Sequence, residues 1–422
     1  MPISARATIL PLVIFRVLFG LILTYGLISS ICKGEIEARY TSPDFFFKYY
    51  GFEWVGYIGD SGVYWLHAGL LVSALMISAG FCYRFAVAFF GLGFTYLHLL
   101  DATNYINHYY LISLLCFLMF FAPANRYFSL DLRWNAKLSP QKDILSVWYW
   151  LLQFQVSLVY FFAGVAKLNS DWLGDAMPLR VWFHQFAGQY PLLSGVFMAA
   201  SAAFFVAWAA AAYDLTIWAF LLSRKTRKYA YMVVLCFHFV TGMLFDIGLF
   251  PIIMPAATIL FFTTYTPSEA IDNQRNKRIL FIAIPYIIIQ IFLPLRAYFW
   301  YSGDILWREE GYRWAWRVML VEKEGLAIFT VSDSVTGRFF VVDNRQYLSG
   351  FQEKRLIQPD HVLQFAHFLA KEYRRTHNIA APTVKADVRV VLNGRRSRML
   401  VDTTVDLARQ TWDLSPKTWL LD

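Results

Sequence analysis

The sequence has little charge and little cysteine. Asp, Glu, Lys and Arg make up 16% of its 422 residues, whereas they make up about 25% of an ordinary soluble domain. Apolar residues make up 58% and aromatic residues 19%. These proportions exclude a water-soluble globule and a disordered chain, because both need more polar surface.

The four cysteines lie in or beside apolar runs, at positions 32, 82, 116 and 236. Residues 298–422 contain none. This absence excludes a disulfide framework, a thiol nucleophile and a CxxC metal site from the C-terminal part.

The few charges are unevenly distributed along the chain. Residues 1–297 contain 34 of them and residues 298–422 contain 33. The difference predicts an integral-membrane α-helical bundle over residues 1–297, followed by a soluble, β-rich α+β domain over residues 298–422. The net charge of +9 lies largely in short loops between apolar runs, so it predicts membrane topology and no nucleic-acid partner.

Nine apolar stretches are long enough to cross about 30 Å of hydrocarbon. The first is too long, and lacks the small-residue cleavage site, to be a removable signal peptide. The predicted spans lie near residues 7–31, 62–82, 85–100, 108–123, 146–167, 195–222, 229–245, 247–265 and 279–297.

The positive charges between these spans predict the orientation of the bundle. Lys and Arg number 13 in one set of flanking segments and 4 in the alternate loops. The positive-inside rule then places the N-terminus in the cytoplasm and residues 298–422 on the periplasmic or lumenal side, of a bacterial inner membrane or of the endoplasmic reticulum.

In the soluble domain, alternation predicts strands at residues 314–322 and 325–333. Pro359-Asp360 predicts the start of a helix with one apolar face. Asn393-Gly394 predicts a two-residue hairpin between residues 388–391 and 398–401.

Ionisable and polar side chains inside the spans are costly and usually mark a ligand or proton site. The fifth span carries a stripe at helical spacing, which predicts a face toward a cavity or toward close helix neighbours. Its members are Gln153, Ser157, Tyr160, Gly164 and Lys167. The predicted topology brings Lys167, His98, Asp101 and the Asn107-His108 pair to the outer end of the bundle. Neighbouring spans add Asp214, His238 and Asp246.

These residues have structural as well as functional interpretations. Lys167 either reaches the membrane interface or, desolvated as a neutral amine, acts as a general base. Asn107 and His108 either cap a helix beside an interfacial histidine or donate hydrogen bonds to an oxyanion. His238 is a core histidine or part of a pocket. A metal site is not predicted, since the histidine spacing is unspecific.

Several long motifs resemble vitamin K-dependent gamma-glutamyl carboxylases, whose membrane part is known as the horizontally transferred transmembrane domain. Residues 160–172 resemble the family's catalytic-lysine segment, and Asn107-His108-Tyr109-Tyr110-Leu111 resembles its Asn-His-Ser-Tyr-Leu element. The resemblance runs in order from the first span to near the C-terminus. Further matches are Phe237-His238, residues 244–250, Trp307, residues 312–316 and residues 392–395.

The resemblance implies a carboxylase of the carbon–carbon lyase class. In this family a lysine deprotonates reduced vitamin K, oxygen adds, and the strong base formed on the way to the epoxide removes a proton from glutamate so that carbon dioxide adds. It implies that Lys167 is the base, that His108 and Asn107 stabilise intermediates, and that Tyr160, His238 and Asp246 bind substrate. The implied cofactor is phylloquinol or menaquinol, with oxygen and carbon dioxide as co-substrates and no metal. The implied partners are membrane lipid and a glutamate of an exported protein or peptide.

Three departures from the family pattern weaken the link to a peptide substrate. Animal enzymes have two consecutive lysines where this chain has Ala166-Lys167, they are longer at the C-terminus, and they use a cysteine pair between their two parts. Quinol oxygenation is therefore better supported than peptide carboxylation. The alternatives are a quinol epoxidase without carboxylation, a membrane protein that binds a quinone or lipid without turnover, and a proton-coupled transporter.

Overall fold

A computed structural model describes residues 5–266, 273–333 and 335–422 of the chain. The side chains of residues 273–278 are not among those described. They include Arg275, Lys277 and Arg278, which are counted among the 13 Lys and Arg residues that predict the orientation of the bundle. The helices of the membrane part are α1 (Leu10–Cys32), α2 (Gly59–Ala79), α3 (Tyr83–Leu100), α4 (Asn107–Phe121), α5 (Asp131–Trp134), α6 (Val147–Ala166), α7 (Leu179–Gln189), α8 (Ser194–Met198), α9 (Ala200–Leu222), α10 (Arg227–Leu244), α11 (Phe250–Thr258) and α12 (Asn273–Phe299).

Every predicted span is helical, but the count of nine spans is not confirmed. Six of the described helices are long and apolar enough to cross a membrane, namely α1, α2, α3, α6, α9 and residues 279–299 of α12. Helix α4 has 15 residues, which at about 1.5 Å each fall short of a 30 Å hydrocarbon layer. Helix α11 with its 3₁₀ continuation to Phe262 is also short, and α10 begins on Arg227-Lys228.

Close helix pairs hold the bundle together where small residues meet backbone. A Cβ placed on Gly20 of α1 would lie 2.5 Å from the backbone nitrogen of Ser78 in α2. A Cβ on Gly164 of α6 would lie 2.7 Å from the backbone nitrogen of Leu215 in α9. Both glycines therefore allow a backbone approach that any side chain would prevent. A small antiparallel sheet, β1 (Arg6–Thr8), β2 (Asp143–Leu145) and β3 (Tyr265–Thr266), joins the N-terminus to two loops.

The soluble part is a four-stranded antiparallel sheet with one long helix on its inner face. The elements are α13 (Ile305–Arg308), β4 (Lys323–Asp333), β5 (Phe339–Val341), α14 (Gly350–Glu353), α15 (Pro359–Thr376), β6 (Pro382–Leu392) and β7 (Arg398–Met399). The strand order is β5-β4-β6-β7, and the inward residues of α15 include Val362, Phe365, Ala366 and Leu369, as its sequence predicts.

Of the other local predictions for this domain, the strand at residues 325–333 is confirmed as β4, and the strand at residues 314–322 is wrong. The hairpin is confirmed in part: Asn393-Gly394 forms a turn between β6 and β7, but the last paired residues are Val390 and Arg398, so the connection is longer than two residues. Residues 314–322 are not a strand. Trp314, Trp316 and Met319 have φ between 52° and 59°, a left-handed conformation that a strand does not accommodate.

The soluble domain contacts the loop between α1 and α2. The Gln352 side-chain amide donates to the carbonyl of Phe45 at 2.7 Å and to the Asp101 carboxylate at 2.6 Å. Gln364 exchanges two hydrogen bonds with the backbone of Lys48. The two parts therefore share a buried polar contact on the side of the bundle where α3 ends.

Candidate functional site

A cavity of about 450 Å³ lies between the outer ends of α1 to α4 and the turn before α11. Its walls combine apolar side chains with many polar ones, including the charged Lys33, Glu35, Arg39, Asp246 and Arg355. Three of the predicted site residues line it, namely Asn107, His108 and Asp246.

His108 is buried in the first turn of α4. Its ring makes no hydrogen bond to another described residue, and it packs against Tyr109 and the turn at Gly248. A Cβ on Gly248 would lie 3.1 Å from His108 Nε2, and its φ is +60°. Glycine at this position therefore lets the turn approach the imidazole, which keeps a nitrogen free for a ligand.

Asn107 connects the cavity to the soluble domain. Its side-chain amide donates to the carbonyl of Arg317 at 3.0 Å, and its oxygen accepts from the Tyr105 hydroxyl at 3.0 Å. The helix-cap interpretation is wrong, because α4 begins at Asn107 after Ile106 and has no side-chain cap. Asn107 thus fixes the wall beside His108.

Lys167 ends α6 and is buried against α9. Its ammonium donates to the Asp214 carboxylate at 2.7 Å and to the carbonyl of Ala163 at 3.3 Å. The ammonium also lies 5.1 Å from the centroid of the Trp172 ring. Because both members of the ion pair are buried, Lys167 does not simply reach out to the membrane interface.

The stripe on α6 faces neighbouring helices and not an open cavity. Gln153 donates to the carbonyl of Leu260 at 2.9 Å, Gly164 contacts α9, and the Tyr160 hydroxyl lies 3.0 Å from His238 Nε2. His238 Nδ1 is buried without a partner among the described residues. The hydrogen-bond partner of His238 is therefore a tyrosine hydroxyl and not a backbone carbonyl.

The structure therefore divides the predicted residues into two groups. Asn107, His108 and Asp246 line the cavity, whereas Lys167, Tyr160 and His238 do not. Phe250 lies between the groups, with ring centroids 6.5 Å from His108 and 5.6 Å from His238.

Several cavity residues are missing from the sequence-based prediction. His67 of α2 donates its Nδ1–H to the carbonyl of Val63 at 2.8 Å and packs on Tyr40. Arg39 pairs with Glu35 at 3.2 Å. His67 is an isolated histidine in an apolar span, and this was the only feature of the sequence that could have identified it as a cavity residue.

A smaller cavity of about 150 Å³ continues from Asn107 into the soluble domain. Arg355 lines both cavities. Beyond it, Asp360 pairs with Arg313 at 2.9 Å and Lys417 at 3.1 Å. Burial raises the pKa of Asp360, but these two cations outweigh burial and bring the pKa to about 2. Charged side chains therefore line both cavities.

Two family models match the chain. One, described as the HTTM domain, matches residues 6–265. The other, described as the vitamin K-dependent gamma-carboxylase lumenal domain, matches residues 275–422. The chain belongs to the vitamin K-dependent gamma-glutamyl carboxylase family.

Membership of the gamma-carboxylase family supports a carboxylase-type role and the use of vitamin K hydroquinone. No solved structure matches the chain. The cavity suits such a diol, since Leu27, Phe94 and Ile112 offer apolar contacts to a ring system while His108 and Asn107 offer polar ones. Among the described residues, no three His, Cys, Asp or Glu side chains come together as a metal site would require.

Proposed function

We propose that this carboxylase oxygenates a reduced naphthoquinone to its epoxide and carboxylates glutamate of an exported protein or peptide. When bound, the quinol with oxygen supplies the strong base that removes the glutamate proton. The observation that carries the proposal is the cavity beside His108, which combines an apolar wall with a buried imidazole that has no described hydrogen-bond partner.

Access from the bilayer supports a lipid-borne substrate. An apolar groove of about 410 Å³ runs along the outer surface of α1 and α11. Tyr25 of α1 lines both this groove and the cavity. A quinol dissolved in lipid therefore has a short apolar approach to the polar groups at the end of α4.

Lys167 is the proposed base, and Asp214 is its proton partner. A proton passed from the ammonium to the carboxylate leaves both groups neutral, and a low-dielectric surrounding favours two neutral groups over two charges. The neutral amine can then accept a proton from the substrate. Because Lys167 lies off the cavity wall, this step requires the substrate or the Phe250 and His238 side chains to shift.

The remaining site residues bind and orient. His108 and Asn107 are placed to donate hydrogen bonds to a developing anion. Asp246 also lines the cavity and is placed to bind a hydroxyl. The Tyr160–His238 hydrogen bond would hold the partition between the cavity and Lys167 in position.

The exported substrate requires the soluble domain to face the periplasm or lumen, with the N-terminus in the cytoplasm. A cysteine replacing Ser349, introduced into a chain without Cys32, Cys82 and Cys236, should react with an impermeant thiol reagent in intact cells. A cysteine replacing Ser223 should not react. The reverse pattern would place the soluble domain in the cytoplasm and remove exported proteins as substrates.

The direct test supplies the protein in nanodiscs with vitamin K hydroquinone, oxygen, labelled bicarbonate and a glutamate peptide. We expect both epoxide and label in the peptide. Epoxide without label would support a quinol epoxidase, and neither product with any quinol would contradict an enzyme.

One observation favours the second candidate, a protein that binds a quinone or lipid without turnover. Lys167 is fully engaged by Asp214 and does not line the cavity. A naphthoquinone that co-purifies with the protein, but forms no epoxide after reduction, would establish this alternative.

A further inference from the structure

The β6–β7 hairpin of the soluble domain reaches the segment that directly follows Lys167. Its turn residues have the φ values of a two-residue hairpin turn, 52° at Asn393 and 69° at Gly394. The buried Asn393 is held in place because its backbone donates to the carbonyl of Glu322 at 2.8 Å, and its side-chain oxygen accepts from the Glu322 amide at 2.9 Å. Its side-chain NH₂ is left to point at the membrane part.

The target of the hairpin is the Asp171 carboxylate. Asn393 Nδ2 donates to Asp171 Oδ2 at 2.8 Å, and the Arg395 guanidinium binds the other carboxylate oxygen. The Asp171 side chain is 7% exposed, so it needs such partners to remain charged. A buried carboxylate of the membrane part is thus satisfied by the soluble domain.

The next residue links this contact to the lysine. Trp172 donates its indole N–H to the carbonyl of Ala207 on α9 at 2.8 Å, and its ring lies 5.1 Å from the Lys167 ammonium. The same helix carries Asp214, the partner of Lys167. Contacts therefore run without a break from the hairpin through Asp171 and Trp172 to the ammonium.

This contact is not needed to attach the soluble domain. Gln352 and Gln364 already bind that domain to residues 45–48 and Asp101 on another side of the bundle. The hairpin instead contacts a short irregular segment, where a π-turn over Ser170–Gly174 follows the end of α6. The segment has backbone hydrogen bonds of its own, since the Trp172 N–H donates to the Asn169 side chain at 2.9 Å and the Met177 N–H to the Asp171 carbonyl at 2.7 Å. The hairpin adds the only described side-chain partners of the Asp171 carboxylate.

We infer that Asp171 is a positioning residue through which the β6–β7 hairpin holds Trp172, and with it the Lys167 ammonium, against Asp214. The catalytic consequence rests on the proposed function of Lys167. Removing the hairpin contact would loosen residues 168–178 and misplace the base, while the cavity around His108 would keep its shape.

The test compares Arg395→Ala and Asp171→Asn with Arg396→Ala in the full-length protein in nanodiscs. Arg396 lies next in the hairpin and makes no hydrogen bond or ion pair to the described residues, so its variant is a matched control. Amide hydrogen exchange is measured for residues 168–178, with residues 359–376 as an internal reference. The kcat and KM for the quinol are measured by epoxide formation.

We expect faster exchange in residues 168–178 of Arg395→Ala and Asp171→Asn, with unchanged exchange in residues 359–376. The kcat should fall about tenfold, as for a catalytic group misplaced by a fraction of an ångström, while the quinol KM stays unchanged. Arg395→Lys should recover part of the kcat, and Arg396→Ala should match the wild type.

Unchanged exchange in residues 168–178 would overturn the inference, and so would faster exchange with an unchanged kcat. Equal acceleration in residues 359–376 would show general destabilisation and would overturn it as well. A wild-type protein that forms no epoxide would instead contradict the proposed function, and the exchange measurement would then decide whether the hairpin holds the Lys167 segment.

Discussion

The polar groups of His108 and Lys167 differ in whether the protein itself satisfies their hydrogen bonds. The His108 imidazole makes no hydrogen bond to a described residue, whereas the Lys167 ammonium contacts Asp214, the carbonyl of Ala163 and the Trp172 ring. Free polar atoms suit ligand binding, and satisfied ones suit the storage of a proton. The difference leaves the His108 nitrogens available to a ligand and places Lys167 outside the cavity, with Phe250 lying between His108 and His238.

The largest effect should come from Lys167. Lys167→Ala should lower epoxide formation about 10³-fold, as expected for loss of a general base, while quinol affinity stays near that of the wild type. Lys167→Arg should be as inactive, since guanidinium does not give up its proton near neutral pH. Single-turnover epoxide assays measure this, and an active Arg variant would remove Lys167 from the role.

A stability control separates lost chemistry from lost folding. Lys167→Ala leaves Asp214 buried and unpaired, which costs about 3–5 kcal/mol if the carboxylate stays charged. Lys167→Met combined with Asp214→Leu should restore the Tm without restoring epoxide formation. If this double variant were active, the ion pair would be structural only.

The cavity should respond differently from the lysine pocket. His108→Leu removes the imidazole nitrogens but leaves the ion pair intact, so the Tm should stay unchanged. Epoxide formation should fall about 10²-fold, the effect of losing one donor to a developing anion. A loss of stability similar to that of Lys167→Ala would indicate that the cavity and the Lys167 ion pair are not separate.

Gly248→Ala should have a smaller effect on the same wall. The added Cβ would lie 3.1 Å from His108 Nε2 and the φ of +60° would strain an alanine by about 1 kcal/mol. If transition-state binding weakens by the same free energy, kcat/KM falls about fivefold. Gly242→Ala, whose Cβ would meet the side chain of Pro251 and not His108, is the control.

The last prediction concerns the acid stability of the soluble domain and leaves the catalytic groups untouched. His361 is fully buried, accepts from Arg313 at 2.8 Å and faces the carbonyl of Arg355. Burial, with the Arg313 charge second, lowers its pKa to about 3. The unfolded chain takes up this proton below about pH 6.5, so stability should fall as the pH drops from 6.5 towards 3, by at most about 1.4 kcal/mol per pH unit. The Tm of His361→Gln should depend less on pH across this window, and an equal slope would contradict the assignment.

Local features of the fold were predictable where one segment carries its own signal. The β6–β7 turn follows from Asn393-Gly394, and α15 follows from Pro359 and the apolar face after it. Residues 314–322 were mispredicted because alternation cannot reveal three residues with positive φ, which tertiary contacts between the domains impose.

The site was predictable as a set of residues but not as an arrangement. The stripe on α6 correctly identified an inward face, yet only the close approach at Gly164 determines that Asp214 meets Lys167. The position of His67 and Tyr40 in the cavity depends on how α2 packs on the loop after α1. Helix pairing of this kind is set by contacts distant in sequence, which periodicity does not record.

The most direct measurement is the cross-linking pattern of a photoreactive naphthoquinone, mapped by mass spectrometry in wild type and Lys167→Ala. We predict labelling of residues 107–112 and 246–250 in both proteins, with epoxide formed from the reduced parent quinol only by the wild type. Labelling confined to the groove on α1 and α11, or loss of labelling in Lys167→Ala, would contradict a binding cavity that is separate from its base.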